Sequence, residues 1–500
     1  MNKKEMIKAS LMLSFIGGCS LLFGGCSRDM LSISQPVDYV QINSENFDSS
    51  KYYMNTDKQI IAADPYVIDG KDGYYYAYAT SDKLSGYGFL SWRSKDLVSW
   101  EEVGIAYYTS KDTWGVKDFW APEVTEYKGK YYMHYTAKDK DGAIKIGMAV
   151  SDAPSGPFKD LDHEPFFYPG YNVIDSNILI DDDGQIYMYY SRDCSENVVN
   201  GFNESHLYVV ELDEMREVIS DPILLLKPEL NWETESGDYR WNEGPEILKR
   251  DNQYYLIYSA NFYNSRNYSL GYAISDSPTG PFIKPDQNRL LYAESDWTHI
   301  SGPGHNSFAL SPDGKELYTN YHSHINTDGD GGVRQINLDK VGFRSDGSMY
   351  INGPSGTPQP LPSGTSELIN LNEKIESIEV NGSTQSDTNL LVNGEVVYHQ
   401  EMIEQEFSGR GPTTLAVHFK EEVQVTDFLI YGSSDSTYKP QIINIKLDDK
   451  SGLRDIDWEM PQLPGEALIL SFDAVKTKSI MIEIANKGEY KLSELTFLGR

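Results

Sequence analysis

A tyrosine-rich stretch recurs five times in this chain, each time about ten residues after a lone acid or histidine. The stretches are Tyr74–Tyr78, Tyr131–Tyr135, Ile186–Tyr190, Tyr254–Tyr258 and Leu317–Tyr321. The residues ahead of them are Asp64, Glu123, Asp175, Glu243 and His305. Short aromatic and β-branched runs suit a pleated, half-buried surface, so the repeat predicts one β-sheet unit used five times, at an interval of roughly 55–70 residues. An offset kept through five copies predicts one structural position filled five times. Around an axis, those five side chains would converge.

Other fragments support internal repetition. Ser151-Asp152-Ala153-Pro154-Ser155-Gly156-Pro157-Phe158 returns as Ser275-Asp276-Ser277-Pro278-Thr279-Gly280-Pro281-Phe282. Turn signals such as Asp182-Asp183-Gly184 separate the runs, and no long stretch has helical periodicity. The expected fold class is all-β. Residues 55–352 read as a five-bladed β-propeller, each blade with four strands and the tyrosine-rich strand second from the axis. A Pro/Gly/Ser-rich linker follows over 353–366. Residues 367–500, poorer in tyrosine and richer in β-branched alternation, read as a β-sandwich (jelly-roll) domain.

Residues 1–26 read as a secretory signal, with Lys3, Lys4 and Lys8 before an apolar run from Leu11 to Phe23. Small residues directly before Cys26 resemble a bacterial lipobox, with Cys19 as a rival site. Cys26 is the expected lipidation site, and 27–54 the expected tether. The protein is therefore expected to be exported and lipid-anchored to a bacterial membrane, in the periplasm or at the cell surface. Only Cys194 then remains as a thiol, so no internal disulfide forms. The chain has no CxxC pair and no HExxH, so zinc has no support. A formal net charge of −32 disfavours nucleic acid and anionic membrane surfaces, whose phosphates would repel it. The expected partner is a neutral polysaccharide or oligosaccharide, with membrane contact only through the lipid.

Asp64, Asp175 and Glu243 lie outside charged runs, and Asp64 and Asp175 directly follow apolar residues. Hydrolysis of a glycosidic bond needs one ionised carboxylate and one protonated carboxyl; a third carboxylate nearby keeps the acid protonated by like-charge repulsion. Three carboxylates at a shared repeat offset fit that division.

The motifs resemble glycoside hydrolase family 43, five-bladed propeller enzymes acting on arabinan, xylan and related glycans. The matching pieces, in the family's order, are Ala63-Asp64-Pro65, Trp120-Ala121-Pro122-Glu123, Ile174-Asp175 before Asp181-Asp182-Asp183-Gly184, Glu243-Gly244-Pro245 and Gly302-Pro303-Gly304-His305. The resemblance implies that Asp64 is the general base, Glu243 the general acid and Asp175 the group that orients the acid and tunes its pKa, in an inverting mechanism. Ser176 stands where the family usually has proline. Trp120 and Phe119 are expected at the channel mouth, with Glu123 and Asn177 beside the substrate. Arg334 resembles an arginine that holds the substrate or the tuning aspartate. His305 resembles an axial histidine that often lies near a calcium ion; no cofactor is required, and a structural calcium there is the one candidate metal. Asn326–Gly331 begins like a calcium loop but lacks its closing glutamate and reads as a turn.

The C-terminal unit resembles a galactose-binding-like, discoidin-type domain, with Tyr438 and Trp458 as its best loop aromatics. The expected activity is exo-α-L-arabinofuranosidase. A β-xylosidase or an endo-arabinanase is the alternative within the class, and a non-catalytic glycan-binding lipoprotein the alternative outside it.

Overall fold

The computed structural model describes residues 37–57, 60–294, 300–327, 331–448, 451–453, 460–461 and 463–500. The signal segment, Cys19, Cys26, the centre of the 326–331 turn and Trp458 lie outside the described residues. The chain is all-β, with helix confined to short 3-10 turns among the described residues.

Five antiparallel sheets follow one another. The first comprises Ala63–Asp69, Tyr75–Thr80, Gly88–Ser94 and Glu101–Tyr108; the second Lys117–Tyr127, Lys130–Lys138, Ile144–Ser151 and Lys159–Asp160. The third comprises Val173–Ile180, Ile186–Arg192, His206–Asp213 and Glu217–Val218, with Ile223–Leu226 also on its third strand. The fourth comprises Asn242–Arg250, Gln253–Ala260, Ser269–Ser275 and Arg289–Leu291, and the fifth Gly304–Leu310, Leu317–His324, Arg334–Phe343 and Met349–Ile351. In all five the tyrosine-rich segment is the second strand, as expected from its alternation.

Two of the buried tyrosines bond sheet to sheet. Tyr78, Tyr135, Tyr189, Tyr258 and Tyr321 are fully buried, and their ring tips are satisfied by hydrogen bonds, as buried hydroxyls must be. The duplicated Ser-Asp-x-Pro turns are the acceptors for two of them. Tyr78 of the first sheet donates to the Pro154 carbonyl of the second, and Tyr189 of the third donates to the Pro278 carbonyl of the fourth, at 2.7 Å.

The first strands share one irregularity. In every sheet the pairing of first and second strands slips by one residue: at Ala63/Tyr66, Trp120/Glu123, Ile174/Asn177, Glu243/Glu246 and Gly304/Ser307. The residue opening each bulge is left-handed: Asp64 (φ 51°), Ala121 (44°), Asp175 (52°), Gly244 (56°) and His305 (48°). A left-handed residue that opens a bulge bends the strand and re-aims its neighbours. The conformation costs a non-glycine residue ~1–2 kcal/mol.

The surrounding hydrogen bonds hold that strain. The bulge N–H of Ala121 donates to Thr80 Oγ1 (2.8 Å), that of Asp175 to Thr136 Oγ1 (3.1 Å), and that of His305 to Ser259 Oγ (2.8 Å). The N–H of Asp64 donates to His322 Nδ1 (3.2 Å), which joins the fifth sheet to the first. The fourth sheet differs: the Gly244 N–H donates to Asp175 Oδ2 (3.2 Å). Ser191, which occupies the acceptor position of Thr80, Thr136 and Ser259, has an unpartnered Oγ.

This corrects the reading of the repeat. The position used five times is Asp64, Ala121, Asp175, Gly244 and His305. Glu243 precedes it by one residue, and Glu123 follows it by two. Counting back from the tyrosines misplaced both, because the first hairpin varies in length. Its loop runs from two residues, as in Tyr127–Lys130, to six in Leu310–Leu317.

The strands after residue 367, together with Tyr39–Ile42, form one eight-stranded sheet. Its 26-residue strand Phe407–Gly432 places Leu415, Val417, Phe428 and Ile430 in a single core with Ile482 and Phe497. Fifteen extended residues would span ~50 Å, so the strand folds over at its register breaks between His418 and Val423 and between Val425 and Asp427.

Two expected boundaries change. Within the expected tether, Tyr39–Ile42 is a strand paired with Ala467–Ile484, and Tyr52–Tyr53 pairs with Gln359–Pro360 of the expected linker. Both segments carry buried side chains, Ile42, Tyr52 and Tyr53 among them, so apolar burial fixes them. The two units are joined by Arg344–Glu395, by Tyr292 donating to Glu401 (2.7 Å), and by Tyr292 stacked on His399 at 3.6 Å.

Candidate active site

The bulges bring Asp64, Asp175, Glu243 and His305 to one end of the five first strands. Asp64 Oδ1 lies 3.2 Å from Arg334 Nη1, 3.3 Å from His322 Nδ1 and 3.5 Å from His305 Nδ1. Burial alone would favour the neutral acid. The Arg334 guanidinium, with His305 after it, outweighs burial and holds Asp64 well below the usual carboxylate range.

The other two carboxyls are pushed the opposite way. Burial raises Asp175 to about 6; His305 works against that rise and the charge on Asp64 adds to it. Burial, and after it the charge on Asp175, raise Glu243 well above its ordinary value. Glu243 Oε1 accepts a hydrogen bond from the Tyr268 hydroxyl at 3.0 Å. Asp64 is thus ionised where Glu243 keeps its proton, the pairing that acid/base chemistry on one bond requires.

Two residues that the sequence reading missed hold this arrangement. His322 stands where other sheets have Thr80, Thr136, Ser191 and Ser259, which is why it alone can reach both the backbone and the carboxylate of Asp64. Burial, and after it Arg334, push it down to about 3, so it is neutral. The Tyr268 ring stacks on His322 (centroids 5.4 Å apart, 6° between planes) while its hydroxyl serves Glu243. It therefore bridges the base side to the acid side. Gly304 makes room for it: a Cβ there would lie 2.3 Å from the ring. His322 was findable, since it directly follows the fifth tyrosine block where hydroxyls follow the second, third and fourth. Tyr268 carried no such signal.

A second ring lies two residues further along each strand: Tyr66, Glu123, Asn177, Glu246 and Ser307. Asn177 Nδ2 donates to Glu123 Oε1 at 2.8 Å and to Glu246 Oε2 at 2.5 Å. The Ile178 N–H also donates to Glu123, the Phe308 N–H to Glu246, and Ser307 Oγ accepts from the Val67 N–H. Burial raises both carboxyls, Glu246 to about 8, and Glu246 adds to the rise at Glu123. A cavity of about 20 Å³ separates the rings, lined by Asp64, Tyr66, Glu123, Asp175 and Glu246 among others. It is far too small for a sugar ring.

Several expected site residues are placed differently. Glu123 and Asn177 sit in this lower ring, bonded to each other. Phe119 is 1% exposed and packs against Phe89, Tyr107 and Tyr135, because it faces the space between sheets and not the mouth. Trp120 is half-buried and pairs with Thr136 in the register at which Glu243 pairs with Ser259, so it occupies the second sheet's equivalent of the acid position. Arg334 pairs with Asp64 and not with Asp175. No group of three His, Cys, Asp or Glu side chains among the described residues is arranged to hold a metal ion. His305 faces Asp64, its Nδ1 3.5 Å from Oδ1. Cys194 is buried and its thiol is pushed up to about 12, first by burial, so it is unreactive.

Comparison with known proteins identifies the family. The family Glycosyl hydrolases family 43 matches residues 57–349, more than half of the chain. The beta-D-galactofuranosidase xynD of Aspergillus niger is 27% identical over 290 residues, 55% of this chain and 78% of that protein. Xylosidase/arabinosidase 43A of Humicola insolens is 29% identical over 284 residues, 48% of this chain and 83% of its own. The crystal structure of a thermostable family-43 glycoside hydrolase is 44% identical, with a TM-score of 0.59, covering 62% of this chain and 99% of that one. The matched segment carries the first three strands of all five sheets, and with them Asp64, Glu123, Asp175, Glu243 and Glu246. This chain belongs to family 43 of the glycosyl hydrolases and is a glycosidase.

Proposed function

We propose that the protein is an inverting exo-α-L-arabinofuranosidase acting on plant-type polysaccharides or oligosaccharides, with its five sheets arranged as the blades of a β-propeller. The reading rests on one observation: Asp64 lies 3.2 Å from the Arg334 guanidinium, which favours its ionised form, while burial and the neighbouring Asp175 favour the protonated form of Glu243 in the same cluster. The propeller is supported by the hydrogen bonds that link neighbouring sheets and run from the fifth back to the first.

In this mechanism Asp64 takes a proton from water as the water oxygen attacks the anomeric carbon. Glu243 gives its proton to the departing glycosidic oxygen, and the bond to that oxygen breaks in the same step. Asp175, fixed by the Gly244 N–H, keeps Glu243 protonated between turnovers. Solvent then removes the proton from Asp64 and returns one to Glu243. The amino-terminal segment adds an export signal and a lipid anchor on Cys26 to the proposal, supported by the lipobox-like residues before it. We also propose that the C-terminal sheet is a discoidin-type sandwich that buttresses the fourth and fifth sheets.

The deciding experiment is a panel of aryl glycosides bearing arabinofuranosyl, xylosyl and galactosyl groups, with proton NMR of the first product formed. Cleavage of the α-L-arabinofuranoside with release of the β-anomer is expected. Release of the α-anomer would refute the inverting assignment. A second reading, β-xylosidase, is favoured by the xylosidase/arabinosidase likeness; faster cleavage of the xyloside would select it. Internal cuts in linear arabinan would select the endo-arabinanase reading.

A further inference from the structure

An exposed aromatic strip runs from the acid to the residue that holds the base. Tyr239 stacks on Trp241 (5.9 Å, 22°), Trp241 meets Phe262 (5.4 Å), and Phe262 meets Tyr263 (4.8 Å). Trp241 lies two residues before Glu243. At the other end the Arg334 guanidinium lies over the Tyr263 ring, 4.8 Å from its centre. Tyr239, Phe262 and Tyr263 are 49%, 38% and 43% exposed. Tyr239 lies in a three-stranded sheet separate from the five, formed with Val198–Val199 and Phe202–Glu204 and standing next to the acid.

Contiguous exposed rings are costly in water, and such patches mark binding surfaces. Rings spaced one after another suit the C–H faces of successive sugars, while the tyrosine hydroxyls remain free to bond sugar hydroxyls. The strip starts beside the group that protonates the leaving oxygen, so its ligand is on the leaving-group side of the bond.

We propose that Tyr239, Trp241, Phe262 and Tyr263 form a platform for the leaving-group part of the substrate, a neutral chain of several sugar residues. The proposal rests on the reading of Glu243 as general acid. It makes this an enzyme of glycan chains, whose efficiency depends on sugars that are not themselves cleaved.

The test compares wild type, Tyr239→Ala/Phe262→Ala and a control, Tyr108→Ala, which is 55% exposed on the outer strand of the first sheet. Each is assayed on an aryl α-L-arabinofuranoside and on arabino-oligosaccharides from dimer to hexamer. In wild type and control, kcat/KM is expected to rise with length. In the double variant the hexamer-to-dimer ratio is expected to fall about tenfold, the value of two lost ring contacts. A wild type indifferent to length, or a double variant that keeps the ratio, overturns the platform. If no glycoside or oligosaccharide is cleaved, the catalytic reading fails instead. Calorimetric titration with the hexamer then decides the platform: no binding to wild type overturns it, and binding lost in the double variant supports it.

Discussion

Replacing Arg334 by glutamine tests how the base is kept ionised. Asp64 has one permanent cation in contact, at 3.2 Å, because His322 is held neutral. At an effective dielectric of ~20, opposite charges at that distance attract by about 5 kcal/mol, or nearly 4 pKa units. Water admitted by the shorter side chain screens part of this, leaving an expected rise of about 1–3 units. The sign is fixed by the chemistry. A base with a raised pKa is protonated over a wider range, so activity is lost from the acid side upward. The acid limb of kcat/KM against pH, measured on the best aryl glycoside, should therefore move to higher pH by that amount, and Arg334→Lys should move it less. A limb that stays in place while kcat/KM falls equally at every pH would refute this account, because Arg334 would then act on substrate and not on Asp64.

Tyr268→Phe removes the 3.0 Å hydrogen bond that favours ionised Glu243; the alkaline limb of the same profile should rise by about one unit, and an unmoved limb would show that the bond is idle. Gly244→Ala should fold, since Ala121 adopts the same left-handed position, at a cost of ~1–2 kcal/mol in urea denaturation. Its new Cβ would lie 3.1 Å from His305 Nδ1, and the displaced ring should lower kcat/KM about tenfold; wild-type activity would sink that reasoning. Glu246 is protonated more readily in the fold, its pKa raised from 4.5 to about 8, so folding stability should fall as pH rises through that window. Melting temperatures from pH 5 to 9 should decline less steeply in Glu246→Gln than in wild type, and parallel curves would contradict the pairing.

Much of the site was legible because it is local. Asp64 and Asp175 stand out by the apolar residues before them and Glu243 by its motif, and the tyrosine strands appear where alternation predicts them. Phe119 was misread because strand alternation sends neighbours to opposite faces, and its face depends on where the bulge begins. Glu123 and Glu243 were assigned to one position because counting along the chain ignores hairpin length. His322 was written in the repeat and passed over, one histidine among hydroxyls.

The sequence alone thus determined the all-β class, the five repeats and the three carboxylates, because burial periodicity and short motifs are properties of neighbouring residues. The tertiary structure decided which carboxylate is charged. That depends on Arg334, 270 positions from Asp64, and on Tyr268, whose ring stacks on His322 of another sheet. It also decided that Asn177 bonds two buried acids, Glu123 and Glu246. Proton affinity inside a protein is set by distance and desolvation, and neither exists until the chain has folded.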